Sequence, residues 1–184
     1  MNDIYLYEHN IYKTADYNVW LAFPGNEAFS LSSLGYLWIY KTIDELDNIN
    51  VERICTDTKK TLLRRQDIDI IGFSFSFDMD IFNIFAILNQ HKFALKSTDR
   101  DETSPIIFAG GPVITANPEP YKEFFDFCII GDGEDLNVKA IEICKLNKSK
   151  PKDEIKLKVI TKENRVAKDL NEKDKKLKNK EKES

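Results

Sequence analysis

Short apolar runs alternate with helix-length amphipathic stretches along most of this chain, and that alternation limits its fold more than any other feature. Tyr17-Asn18-Val19-Trp20-Leu21-Ala22-Phe23 reads as a strand, stopped by Pro24-Gly25. Residues 30–46 read as one helix, with Leu31, Leu34, Ile39, Ile43 and Leu46 roughly on one side and Ser30 as its N-cap. Residues 50–54 form a short second strand, and 58–65 a short basic helix. The third strand, Ile68-Asp69-Ile70-Ile71-Gly72-Phe73-Ser74, is almost continuously apolar, as a parallel strand buried on both faces must be. A helix over 78–90 carries the stripe Ile81, Ile84, Phe85 and Leu88. Pro105-Ile106-Ile107-Phe108-Ala109 is the fourth strand and Phe127-Cys128-Ile129-Ile130 the fifth. A helix over 134–145 follows, and 155–160 reads as a late edge strand or hairpin.

Strands separated by helices at this spacing imply right-handed βαβ units and a parallel sheet. The predicted fold is therefore α/β and flavodoxin-like (Rossmann-like), with about five parallel strands flanked by helices on both faces. The organisation expected is one domain over 1–162 and a charged linker or tail over 163–184. That last stretch is mostly Lys, Glu, Asp and Asn and cannot bury enough surface to offset its ordering entropy. No run of about 18 apolar residues occurs, and Met1-Asn2-Asp3 does not open a signal peptide. No membrane association and a cytoplasmic location are the resulting expectations. The net charge is −4, and the lysines lie apart from the aromatics, so a nucleic-acid face is not expected. Cys55, Cys128 and Cys144 are far apart and read as buried thiols in a reducing compartment.

In an open parallel sheet, ligands bind outside the carboxyl ends of the strands. Four loops rich in Gly and small hydroxyls follow such ends: 24–35, 74–77, 110–118 and 131–134. Each has a plain structural reading beside the functional one. Gly110-Gly111 suits a tight turn or the close approach of a bulky ligand. Ser74 and Ser76 suit helix capping or hydrogen bonds to a ligand. Gly131-Asp132-Gly133-Glu134 is not a dinucleotide fingerprint, because position 136 is Leu and two acids repel a phosphate; Asp132 and Glu134 suit a helix N-terminus. His9 and His91 lie away from this edge and read as surface residues. No triad, zinc motif or P-loop occurs, so no catalytic residue and no metal ligand is assigned, and the edge reads as a binding site.

Residues 106–134, IIFAGGPVITANPEPYKEFFDFCIIGDGE, resemble the N-terminal cobalamin-binding-like domain of radical SAM proteins. Residues 70–77 (IIGFSFSF) and the loop 24–35 resemble it more loosely, and Arg165-Val166-Ala167-Lys168-Asp169-Leu170-Asn171 resembles the linker into the radical SAM barrel. The resemblance implies that Ser74, Ser76, Phe77, Gly110, Gly111 and Pro112 embrace the nucleotide tail of cobalamin. It places Asn26, Glu27, Ser30, Ser33, Gly131, Asp132, Gly133 and Glu134 near the corrin. Two departures stand out. The loop after the first strand has no His of the DxHxxG type, and no CxxxCxxC is present for an iron–sulfur cluster. The resemblance thus implies a truncated or split member, not catalytic alone. The cluster and S-adenosylmethionine would belong to a missing downstream barrel, carried by the same protein or by a separate subunit. Three functions remain open: a cobalamin-binding accessory domain, a cofactor-free module that docks a separate barrel, and a stand-alone enzyme with another cofactor such as a flavin.

Overall fold

The computed structural model describes residues 15–162 and 166–167. Its strands are β1 (Tyr17–Ala22), β2 (Ile49–Ile54), β3 (Ile70–Ser74), β4 (Ile106–Gly110), β5 (Phe127–Ile129) and β6 (Val166–Ala167). They form one sheet in the order β2-β1-β3-β4-β5-β6, with the first five parallel and β6 antiparallel to β5. The helices are α1 (Glu27–Ser32), α2 (Leu34–Asp44), α3 (Asp80–Gln90), α4 (Pro112–Ala116), α5 (Gly133–Leu146) and α6 (Lys152–Lys162). This is the expected flavodoxin-like α/β architecture. The remainder of the expected tail lies outside the described residues.

The sheet separates two apolar cores. On one face, Tyr36, Tyr40 and Ile43 of α2, Leu136, Ala140 and Ile141 of α5, and Ile155 and Val159 of α6 pack on Val19, Leu21, Val51, Ile70 and Phe108. On the other, Ile84, Ile87 and Leu88 of α3 and Val113 and Ile114 of α4 pack on Trp20, Ile71, Phe73 and Ile107. Alternate residues of one strand serve opposite cores, which is why β3 and β4 are apolar throughout. Phe108 stacks on Phe127 with ring centroids 5.1 Å apart. The Phe108 ring lies where a side chain at position 72 would stand: a Cβ on Gly72 would meet its Cζ at 2.5 Å.

Because α2 and α3 cover opposite faces, the winding reverses between β1 and β3. That is the topological switch point, where the carboxyl ends of neighbouring strands leave a crevice.

Four local expectations are corrected. Residues 30–46 are two helices, broken at Ser33, and the N-cap of α1 is Asn26, whose side chain accepts from the Phe29 N–H at 2.9 Å. Residues 58–65 are not a helix. Glu52 is buried on β2 and accepts from Leu62 N, Leu63 N and the Trp20 indole, which pins this segment as a loop along the edge strand. Residues 155–160 lie inside α6, not in a strand. The helix α3 begins at Asp80, and the Asp80 carboxylate, not Ser74 or Ser76, accepts the Phe77 N–H at 3.0 Å.

A buried ion cluster holds the amino edge. Asp126 and Arg100 are each 2% exposed, with Arg100 Nη2 3.4 Å from Asp126 Oδ2. Lys156 of α6 reaches Asp126 Oδ1 at 2.8 Å, and Arg100 also donates to the carbonyls of Ala94, Leu95 and Phe124. Cys55, Cys128 and Cys144 are buried and form no disulfide among the described residues.

Candidate functional site

Parallel strands bring the four expected loops to one edge, together with the loop after β2. A cleft of about 700 Å³ opens there at the switch point. Phe23, Pro24, Gly25, Asn26, Phe29, Ser32 and Ser33 wall it from the β1 side, and Ser76, Phe77, Asp80 and Asn83 from the β3 side; Thr56 closes it. Asn83 Nδ2 donates to the Pro24 carbonyl at 3.0 Å, which clamps α3 to the loop after β1. The size is typical of a small-molecule site. Its chemistry is mixed: flat aromatic walls with hydroxyl and amide groups between them.

The walls continue into an apolar rim. Phe29 is 65% exposed and Phe77 72% exposed, and both line the cleft. Leu34 on α2, and Met79 and Phe82 at the start of α3, are similarly exposed. Single exposed apolar residues need no explanation; here two wall one crevice, and Leu34, Met79 and Phe82 are chain neighbours of its lining residues Ser33, Asp80 and Asn83.

Of the expected cofactor residues, Asn26, Ser33, Ser76 and Phe77 line this cleft. Glu27 lines a different one, beyond β2. Ser30 is fully buried and its hydroxyl donates to the Glu27 carbonyl at 2.8 Å. Pro112 and Ser76 share a third cleft of about 290 Å³ with Asp78 and Tyr121. The Tyr121 hydroxyl donates to Asp78 at 2.7 Å, and that bond raises the Tyr121 pKa above the ordinary phenol value.

Ser74, Gly110, Gly111, Gly131, Asp132 and Gly133 sit at the same edge without lining the central cleft. Gly111 has φ +119°, and a Cβ there would meet the Phe75 carbonyl oxygen at 2.6 Å. A Cβ on Gly110 would touch Ile129. Gly111 is therefore explained by the protein's own packing against Phe75, whereas the space at Gly110 would admit a Cβ in ordinary contact with Ile129. Gly131 donates its N–H to Thr115 Oγ1 at 3.0 Å, and Asp132 occupies the N-cap position of α5 without a side-chain capping bond. Glu134 is the second residue of α5.

Sequence reasoning did not single out Phe29, Ser32, Thr56, Asp80 or Asn83 as site residues. The readable signal was Phe29: an aromatic in a loop beyond a parallel strand, with no place in any apolar stripe. Asp80 and Asn83 become visible only once α3 is known to start at residue 80.

His91 lies away from this edge, half-buried against Trp20 with ring centroids 4.7 Å apart; His9 lies outside the described residues. Among the described residues no three His, Cys, Asp or Glu side chains are grouped to hold a metal ion, and no helix is long and apolar enough to cross a membrane.

Residues 35–166 match the model of the family described as radical SAM proteins, N-terminal, which is well over half of the chain. No curated protein and no solved structure matches it.

Proposed function

Since the chain belongs to the family of radical SAM protein N-terminal regions, we propose that it is an accessory domain whose carboxyl edge docks a radical SAM barrel. The observation that carries this is the exposed pair Phe29 and Phe77 in the wall of the switch-point cleft, with exposed Leu34, Met79 and Phe82 adjacent in the chain to its lining residues Ser33, Asp80 and Asn83. Such a rim left in water is unfavourable by roughly 25 cal/mol per Å² of apolar surface, and a partner face relieves that cost. The chain's own residues supply no cluster of thiolates for an iron–sulfur centre, so radical initiation falls to the barrel and this domain contributes shape and contacts. Phe77→Asp and Met79→Asp test the reading, because both side chains are exposed and the fold does not depend on them. Association with a radical SAM barrel of the family, followed by light scattering or interferometry, should weaken about tenfold or more. Unchanged affinity in the double variant refutes the docking face.

A second reading is favoured by the cleft itself. Its aromatic walls and its Asn26, Ser33 and Ser76 side chains suit the face of a flat, amide-rich ligand, and cobalamin is the one the resemblance implies. Phe29 and Phe77 would cover the macrocycle, and no imidazole of the described edge is placed to ligate its cobalt. Bound there, cobalamin would supply methyl-group or radical carrier chemistry. The test is gel filtration after incubation with hydroxocobalamin. Corrin absorbance that co-elutes with the wild-type chain and is lost in Phe77→Asp supports this reading; absence of absorbance from the protein peak removes it and leaves the docking face standing.

A further inference from the structure

The second cleft of this edge, about 360 Å³ beyond β2, is lined by the charged residues Glu27, Glu52, Arg53, Asp57, Lys59 and Lys60. Its lining holds three carboxylates and three cations, yet among them only Arg53 and Glu27 come within ion-pair distance of each other. Arg53 is buried, with its side chain 8% exposed, yet its Nη1 has no hydrogen-bond partner. The Arg53 guanidinium carbon stands 5.6 Å from the centre of the Tyr40 ring, and the nearest carboxylate is Glu27 Oε1, 3.9 Å from Nη2. That carboxylate is 58% exposed and free to swing into solvent. Glu52 gives Arg53 no hydrogen bond, because both its oxygens accept from Leu62 N, Leu63 N and Trp20 Nε1. Asp57 accepts the Glu27 N–H at 3.0 Å. Lys59 and Lys60 are exposed at the same cleft, and neither has a carboxylate within ion-pair distance among the described residues. A buried guanidinium short of partners is costly unless an anion completes it.

We propose that this cleft binds a phosphate group, with Arg53 as the buried anchor, Lys59 and Lys60 closing over the outer oxygens, and Glu27 as a resident counter-ion that the ligand displaces. With Glu27 displaced, three cations face two carboxylates, Glu52 and Asp57, that already accept backbone N–H groups, and a phosphate oxygen takes the place of the departed carboxylate beside the guanidinium. The site is separate from the switch-point cleft and does not rest on the docking or cobalamin readings.

The experiment is isothermal titration of the full chain at low ionic strength with inorganic phosphate, pyrophosphate and ATP. Pyrophosphate should bind and be released as salt is raised, as for a partly exposed charge site. Lys59→Ser with Lys60→Ser should weaken it roughly fivefold, the sum expected of two solvent-exposed ion pairs. Both lysines are exposed, so this variant tests the site without testing the fold. Glu27→Gln should tighten binding, because it removes the competing carboxylate. ATP binding more tightly than pyrophosphate supports a nucleotide as the source of the phosphate; equal binding supports the phosphate group alone. No binding by any of the three anions, or binding that the double lysine variant leaves unchanged, overturns the proposal. Phe77→Asp should leave this titration unaltered, which separates it from the docking test.

Discussion

Gly111→Ala distinguishes a glycine kept for a ligand from a glycine kept for the backbone. Gly111 sits at φ +119° and ψ −179°, a region that is almost exclusive to glycine. Forcing an L-residue into it costs about 1–3 kcal/mol. A Cβ there would also stand 2.6 Å from the Phe75 carbonyl oxygen and 3.1 Å from the Phe75 C and N. That carbonyl accepts the Val113 N–H at 3.3 Å, and Phe75 N donates to the Gly110 carbonyl at 2.8 Å, so the clash can be relieved only by parting β3 from α4. Overpacking against backbone adds about 1–3 kcal/mol. The total is about 4 kcal/mol, which lowers Tm by roughly 8–16 °C in a domain of this size. Gly35→Ala is the control. Nothing lies within 4 Å of a Cβ at that position in the first turn of α2. The replacement should stabilise by about 0.5–1 kcal/mol through lower unfolded-state entropy and better helix propensity. Urea unfolding followed by circular dichroism measures both. Values for the two variants within 1 kcal/mol of each other, on the order of the spread among surface substitutions, would refute the backbone argument. A normally stable Gly111→Ala chain would make a ligand the reason for that glycine.

Other consequences follow from the buried groups. Asp126→Asn leaves Arg100 and Lys156 without their shared carboxylate, and unfolding free energy should fall by about 3 kcal/mol in urea titration; an unchanged midpoint contradicts the clasp. Cys144 should resist alkylation in the native state, because burial pushes its thiol up to about 12, and should react only after unfolding. Rapid native labelling would contradict its placement between α5 and the sheet. Burial, with the nearby Arg65 cation, lowers the His91 pKa below its ordinary value. The neutral ring is then favoured by folding, so its contribution is present above about pH 6.5 and is lost as pH falls through the folded-state value. His91→Gln should flatten that part of the stability profile; an identical profile would show that His91 does not contribute to it.

The strands were legible where burial on both faces made them uniformly apolar, as in Ile70–Ser74 and Ile106–Gly110. Their parallel arrangement then placed the ligand edge without further information. What misled were segments whose conformation is set by distant partners. Residues 58–65 have helix-compatible composition, but the carboxylate of Glu52 captures the Leu62 and Leu63 N–H groups. In α6, Ile155, Leu157 and Val159 alternate as a strand would, yet Ile155 and Val159 are one helical turn apart and both reach the core. Pairs of Glu154 with Lys150 and Lys158 support that helix along its polar side. The glycine pair at 110–111 was visible, but the reason for Gly111 was not, because its contact with Phe75 exists only once β3 and β4 are paired in register. The Arg53 Nη1 without a hydrogen-bond partner was likewise invisible, since a charged residue in an edge strand normally faces water.

Hydrogen exchange of the chain with and without a radical SAM barrel of its family tests the central claim most directly. Amides of residues 26–34 and 76–82 should gain protection on mixing, while those of residues 97–104, before the amino end of β4, stay unchanged. Protection confined to residues 97–104, or none at residues 26–34 and 76–82 at concentrations where the two proteins associate, would contradict the carboxyl edge as the working face.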